Sequence, residues 1–483
     1  MLTNLKAYSV HMGPADCAVS LSDGSERGSY VNQDYILGKL GRPHQAINLM
    51  YCYYPYDKGW PKRASAAYSD LSVSYVWDYP YDDYFTYKGG LNGTHDDEPF
   101  TFMRDIRRHG QDVLLTLTCD PNVTDDHLIA IAKDLTTFGR VRLRINHEAT
   151  GDWFSFNKRC TYQEVADFYV RFHNTIKRYS PNVETILCID GIKKIDQVEM
   201  KKEIEFTEAV RVTDIWSVDK YLALHWSWPY DVADRGITTQ ERYTPAHIYE
   251  LAKRSYKRFM FLNDGVSKKM VMSELNADGD VTGPYEQVKM IREFCEMIKN
   301  DPDKWLSGFT FYQFRDDGRL GLEITDPNNR DVGIEMPILN EYKKIIHEDF
   351  FKPSMVCGEE IFFPAKLRWG GSEDSDGLAV FLKFKDNPVF AEIYFDKELI
   401  DLNLMIEINE YWFYKAPGTK CIDMMPAFFQ KPLDREEELI MRIFAPPASG
   451  ENDPTQGDDW QQNYYTVITK LPDIRLRYEA ILK

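Results

Sequence analysis

From about residue 44 to 349, short apolar runs alternate with stretches whose apolar residues recur at helical spacing. Strands are predicted at Ala46–Cys52, Ser72–Trp77, Asp112–Thr118, Arg140–Asn146, Thr185–Ile189, Asp214–Val218, Lys269–Ser273 and Gly308–Phe314. Each is rich in Val, Ile, Leu or aromatics, as a strand covered by helices on its faces must be. The intervening segments carry helix signals. Thr161 and Glu164 form a capping box ahead of Val165, Phe168, Phe172 and Ile176, and Ser180-Pro181 stops that helix. Thr244-Pro245 is an N-cap followed by proline at the first helical position. Eight strand–helix units in this length predict a (β/α)8 barrel over residues 44–350, and no GxGxxG follows an early strand to favour a nucleotide fold.

After Phe350 the pattern changes to short, partly alternating runs at 379–385, 390–395, 404–408, 438–444 and 464–468, separated by Gly, Pro and Asp turns. This predicts a C-terminal β-sandwich over residues 353–483. The step from Phe350 to Lys352-Pro353 holds no flexible linker, so the sandwich is expected to dock on the barrel. Residues 1–43 are read as a leader packed on the barrel.

The chain has 483 residues, enough for two or three domains. Its 58 Lys and Arg against 76 Asp and Glu give 58 − 76 = −18, which disfavours nucleic acid and anionic membrane surfaces as partners. No apolar run reaches the ~18 residues of a membrane helix. The first residues lack a basic n-region and an apolar h-region, so the expectation is a cytoplasmic chain as written, or a secreted one whose leader was removed. Eight scattered cysteines without a CxxC pair argue against a disulfide scaffold or a zinc ribbon. No cofactor or metal is called for. The acidic turn at 371–377 invites a calcium reading, but its spacing is not that of an EF-hand, and a solvated turn is the reading taken.

The chemistry is concentrated in Arg140-Val-Arg-Leu-Arg-Ile-Asn-His-Glu148. Alternation puts Val141, Leu143 and Ile145 on one face and Arg142, Arg144, Asn146 and Glu148 on the other, which in a barrel is the lumen. Polar groups there must satisfy one another. Glu148 ends this ladder at the C-terminal rim, where barrels carry their chemistry. The following loop places Trp153 and Phe154 beside it, and aromatic faces suit the C–H faces of sugars. A second carboxylate, Glu274, ends the strand Lys269–Ser273. Two carboxyl groups about 5–5.5 Å apart hydrolyse glycosides with retention, and a wider gap gives inversion. Trp77, Trp226 and Trp228 lie at predicted rim positions, as sugar platforms or as loop packing.

Arg144-Ile-Asn-His-Glu-Ala-Thr-Gly-Asp-Trp-Phe154 resembles the Arg-x-x-His-Glu-x-x-Gly-x-Trp-Phe/Tyr signature of glycoside hydrolase family 26, a clan A family of β-mannanases with glucanases and xylanases beside them. The resemblance spans about residues 44–349. It implies Glu148 as acid/base, Glu274 as nucleophile, and His147 as partner of the acid/base. It further implies Trp153 and Phe154 as sugar-facing aromatics, and Tyr221 as the tyrosine that bonds the nucleophile. Arg142 and Arg144 are expected to support the ionised carboxylate, and Asn146 to line the site. The chain departs from the mannanase pattern at Ser155-Phe156, and at Tyr312-Gln313-Phe314 where the family often has tryptophan. The expectation is therefore a retaining β-glycosidase with the glycan left open. A catalytically silent carbohydrate-binding barrel and an enzyme of the same clan acting on glucan, xylan or oligosaccharides remain as alternatives. A metal-dependent hydrolase is disfavoured because the strand ends lack a paired-His ligand set.

Overall fold

The computed structural model describes residues 5–25, 30–57, 85–151, 154–190, 197–223, 244–316, 318–457 and 459–479. The predicted strand at 72–77, and with it Trp77, Trp153, Trp226 and Trp228, lies outside the described residues.

The strands, in chain order, begin with β1 (Ala7–Gly13), β2 (Ala18–Ser22), β3 (Ala46–Tyr53), β4 (Phe85–Thr86) and β5 (Asp112–Cys119). There follow β6 (Val141–Ile145), β7 (Val183–Asp190), β8 (Ile215–Asp219), β9 (Lys269–Leu275) and β10 (Gly308–Phe311). Eight of them close a parallel barrel in the order β2-β10-β9-β8-β7-β6-β5-β3, with β2 pairing back onto β3. This is the predicted (β/α)8 architecture. The helices Tyr162–Tyr179 and Pro245–Leu262 start where the caps place them, with Thr161 and Glu164 exchanging both capping-box bonds, and a third helix runs Pro284–Asn300. Their apolar stripes, among them Phe168, Phe172, Ile176, Phe259 and Phe294, cover the outward side chains of the strands in one continuous core.

The chain's start departs from the expected leader. β2 is the barrel's first strand, and β1 belongs to the C-terminal sheet. The short run Ala18-Val-Ser-Leu-Ser22 carries neither a strong apolar signal nor turn residues that mark a strand. Because β2 enters the count and the 72–77 segment is not needed to close the ring, Glu148 still follows the fourth barrel strand and Glu274 lies on the seventh.

After β10 come the small sheet of β11 (Arg315–Asp316), β12 (Glu323–Asp326) and β13 (Asn329–Glu335), and then the C-terminal strands. These are β14 (Ser354–Ile361), β15 (Ala365–Trp369), β16 (Ser375–Phe384), β17 (Phe390–Tyr394), β18 (Leu404–Ile408), β19 (Tyr411–Lys415), β20 (Cys421–Asp423), β21 (Glu437–Phe444), β22 (Tyr464–Ile468) and β23 (Asp473–Arg477). The larger sheet runs β14-β1-β16-β21-β18-β19, with β15 and β22 added at β16, and the smaller runs β20-β17-β23. Leu378, Val380, Ile406 and Met441 of the first meet Ala391, Ile393, Ile422 and Ile474 of the second in a single apolar layer. The predicted sandwich is therefore present, with β1 threaded between β14 and β16.

The opposite face of the larger sheet, with Met12, Trp369, Met405, Trp412 and Phe444, lies against the N-terminal ends of the barrel strands. Gly110, just before β5, has φ +74°, and a Cβ there would stand 3.1 Å from both Met405 and Trp369, so only glycine fits. Polar ties cross the same seam. Ser372 Oγ donates to the Gln45 carbonyl at 2.6 Å, Asn403 Nδ2 to the Arg108 carbonyl at 2.8 Å, and Arg107 Nη2 to Asn452 Oδ1 at 2.7 Å. A cavity of about 440 Å³ in this seam lies at the end of the barrel away from Glu148 and Glu274. In the 371–377 turn, Arg368 takes up Asp374 and Asp376 at 2.7 and 2.6 Å, and Gln45 bonds Glu373. Among the described residues, no helix is long and apolar enough to cross a membrane.

Candidate active site

The C-terminal end of β6 builds the site through two residues in left-handed conformation. Asn146 has φ +49° and Glu148 φ +51°, so the chain turns sharply off the strand and carries His147 and Glu148 over the barrel mouth. Asn146 stabilises that turn. Its Oδ1 accepts from the Cys119 N–H at 2.7 Å and its Nδ2 donates to the Cys119 carbonyl at 3.3 Å. Its amide thus serves the backbone of β5, a different role from the site lining expected of it. Ala149 N–H donates to the Cys188 carbonyl, tying the far side of the turn to β7.

Glu274, 5% exposed, lies near the end of β9 with donors on both carboxylate oxygens. Arg144 Nη2 is 3.4 Å from Oε1 and the Tyr221 hydroxyl 2.5 Å from Oε2. His147 Nε2 lies 3.2 Å from Oε1 and 3.0 Å from Oδ2 of Asp219, which ends β8. Burial and the Arg144 charge push the His147 imidazole well below its ordinary range, so it is neutral. Its two nearest neighbours at Nε2 are carboxylate oxygens and its Nδ1 has no hydrogen-bond partner, which places the proton on Nε2. Burial, then the charges of Glu274 and Glu148, drive the Asp219 carboxyl well above the usual carboxylate range. Two acids beside one another cannot both ionise cheaply. Here the Asp219 carboxyl is the one driven upward, and Glu274 faces a guanidinium, a phenol and the His147 ring.

The donor atoms of His147, Asp219 and Glu274 lie within 4.8 Å of one another, a separation a cation could span. The Arg144 guanidinium already places a fixed positive charge beside Glu274, while both carboxylate oxygens of Asp219 are buried without a hydrogen-bond partner among the described residues.

Glu148 is partly exposed at the mouth. Lys220, between Asp219 and Tyr221, is 8% exposed, and burial brings its ammonium down to about 8 against the opposing pull of Glu148. Phe154 is 1% exposed, stacked on Phe156 with centroids 5.5 Å apart and edge-on to His147 at 6.0 Å. It buttresses the imidazole where a sugar-facing ring was expected. The Tyr221 ring meets Tyr312 edge-to-face at 5.7 Å, so the strand-eight aromatic supports the tyrosine on the nucleophile.

Arg142 is a correction. It shares the lumen-side parity of Arg144 but sits nearer the barrel's N-terminal end, where its Nε is 3.5 Å from Glu184. It does not reach the ionised carboxylate; Arg144 alone of the two does. Asp219 is the site residue the sequence reading missed. The alternation in Ile215-Trp-Ser-Val-Asp219 puts Ser217 and Asp219 on the face opposite Trp216 and Val218, the same polar-lumen signal that marked β6.

No protein-family model and no curated protein matches the sequence. Solved structures similar to the chain include a family 51 alpha-L-arabinofuranosidase from Bifidobacterium longum, with 9% identity, 90% of this chain and 97% of that one covered, and a TM-score of 0.45. A glucosidase from Croceicoccus marinus aligns at 9% identity over 90% and 96% of the two chains, with a TM-score of 0.43. A GH26 beta-mannanase from Bacteroides ovatus aligns at 10% identity over 69% of this chain and 89% of its own, with a TM-score of 0.39.

Proposed function

We propose that the chain is a retaining β-glycoside hydrolase with Glu274 as nucleophile and Glu148 as acid/base. The observation that carries this reading is the environment of Glu274. It is a buried carboxylate at the rim of a (β/α)8 barrel, held by Arg144, Tyr221 and the neutral His147. Such donors keep a carboxylate ionised and aimed. Glu148 lies on the opposing turn, close enough that both glutamates act on Asp219.

In the first step a Glu274 oxygen attacks the anomeric carbon and forms a glycosyl ester. The glycosidic C–O bond breaks, and Glu148 delivers its proton to the departing oxygen. In the second step Glu148, now a carboxylate, takes a proton from water. That water attacks the anomeric carbon and frees Glu274, giving a product of retained configuration. The resemblance of 144–154 to family 26 favours β-mannan or a related β-1,4-glycan as substrate.

The test is product chromatography on mannan, mixed-linkage glucan, xylan and their oligosaccharides with wild type, Glu148→Gln and Glu274→Gln. Wild type is expected to release sugars from at least one, and Glu274→Gln to lose at least about 10³-fold in turnover. Undiminished turnover by Glu274→Gln overturns the assignment. Calorimetric binding of a glycan without released sugar would instead show a silent carbohydrate-binding barrel.

A further inference from the structure

A single line of hydrogen bonds crosses the barrel lumen beneath Glu274, through four successive strands. Ser22 on β2 accepts from Asn48 Nδ2 on β3 at 2.9 Å. Asn48 Oδ1 accepts from Thr116 Oγ1 on β5 at 2.8 Å. Thr116 Oγ1 in turn accepts from Arg144 Nε on β6 at 2.7 Å. The remaining guanidinium nitrogens donate across the lumen to the Ser273 carbonyl at 3.0 Å and to Glu274 at 3.4 Å. Ser22 is the register partner of Asn48, and Thr116 that of Arg144, while Asn48 pairs in register with Leu114, two residues before Thr116 on the same face of β5.

The line has one possible polarity. Arg144 only donates, so Thr116 receives at its oxygen and has its own proton left for Asn48. That fixes the Asn48 amide with its oxygen toward Thr116 and its nitrogen toward Ser22. Asn48, Thr116 and Arg144 are 1% exposed or less, so water does not replace a lost partner cheaply.

We infer that Asn48 and Thr116 are positioning residues that hold the Arg144 guanidinium under the nucleophile, with Ser22 as the anchor of the line. Neither touches Glu274; both act through Arg144. The consequence for turnover rests on the glycosidase reading, but the electrostatic consequence does not. A guanidinium free to swing away from Glu274 stabilises its charge less. Among the described residues, charged or titratable groups near Glu274 include His147 and Tyr221, with Asp219 next to them and Glu148, Cys188 and Lys220 around Asp219. All of these are left in place by changes at 48 and 116.

The experiment reads Glu274 directly. Full-length protein labelled with 13Cδ-glutamate is titrated by NMR, and the Glu274 carboxyl signal is identified by its loss in Glu274→Gln. Thr116→Val keeps the shape and removes the hydroxyl, Thr116→Ser restores it, and Asn48→Ala removes the next link. Thr116→Val and Asn48→Ala are expected to raise the Glu274 titration midpoint by about one unit, a tenfold change, with Thr116→Ser close to wild type. Should Asn48→Ala not fold, the Thr116 pair decides alone. An unmoved midpoint in folded Thr116→Val overturns the inference, whatever the protein's activity on glycans. A shifted midpoint in a protein that releases no sugar upholds it while the glycosidase reading fails.

Discussion

The Tyr221 hydroxyl stands 2.5 Å from Glu274 Oε2, the carboxylate oxygen that Arg144 and His147 do not approach. The phenol meets one oxygen, while the guanidinium and the imidazole gather at the other. A nucleophile with neighbours at both oxygens has little freedom to rotate.

Tyr221→Phe tests that clamp. A hydrogen bond to an ionised group contributes about 1.5–3 kcal/mol, so kcat/KM on a responsive glycan is expected to fall roughly 10- to 100-fold. The ring still meets Tyr312, so the melting temperature should stay near wild type. Steady-state kinetics beside a thermal melt separates the two outcomes.

Asp219 acts as a neutral acid beside His147, and amide chemistry can imitate that. Asp219→Asn is expected to keep most activity because it keeps a neutral polar group of the same shape 3.0 Å from His147 Nε2. Asp219→Ala should lose at least about tenfold by removing the polar neighbour of the buried imidazole. Equal losses in the two variants, measured as kcat/KM across pH, would show that Asp219 works as a carboxylate.

Asp23, just beyond β2, offers a stability test away from the catalytic carboxylates. Its carboxyl is fully buried. Oδ1 accepts from the Ser25 N–H and hydroxyl, while Oδ2 has no hydrogen-bond partner. Burial raises it from 3.8 to about 6. A raised pKa means the folded state holds the proton longer than the unfolded chain. The stabilisation from this group is complete below about pH 4 and is lost as pH rises through about 6. Asp23→Asn removes that dependence. Relative to wild type, it should gain on the order of 3 kcal/mol between pH 4 and pH 7, read by denaturant unfolding at the two pH values.

The seam between barrel and sandwich predicts that neither part is indifferent to the other. Removing residues 353–483 exposes Gly110, Leu37 and the N-terminal ends of the strands, and strips β1 of both neighbours. The truncated chain is expected to aggregate or to melt well below the full chain, as followed by light scattering and calorimetry. A soluble, equally stable barrel would show the sandwich to be an independent appendage.

Much of this was legible in the chain. The strict alternation in 141–148 marked a polar lumen face, and the capping signals at Thr161 and Thr244 fixed helix starts that the fold retains. The first strand was not legible, because Ala18–Ser22 is short and three of its five residues are serine or alanine. Pairing on both sides within the ring makes it a strand. The lumen line was hidden for a similar reason. Ser22, Asn48 and Thr116 are ordinary polar residues far apart in sequence, and only the closed barrel brings them into one line with Arg144. Arg142 was misjudged because alternation gives the face of a side chain but not its height in the barrel. Two residues along β6 separate a partner of Glu184 from a partner of Glu274.

The most direct measurement is capture of the covalent intermediate. The protein is incubated with 2-deoxy-2-fluoro-β-glycosyl fluorides of the manno, gluco and xylo series, digested, and examined by mass spectrometry, while 1H NMR follows the anomeric configuration of the first product from an unmodified substrate. The account predicts one fluoroglycosyl ester on the peptide containing Glu274, none in Glu274→Gln, and a product of retained configuration. An ester on another carboxylate, or a first product of inverted configuration, would contradict it.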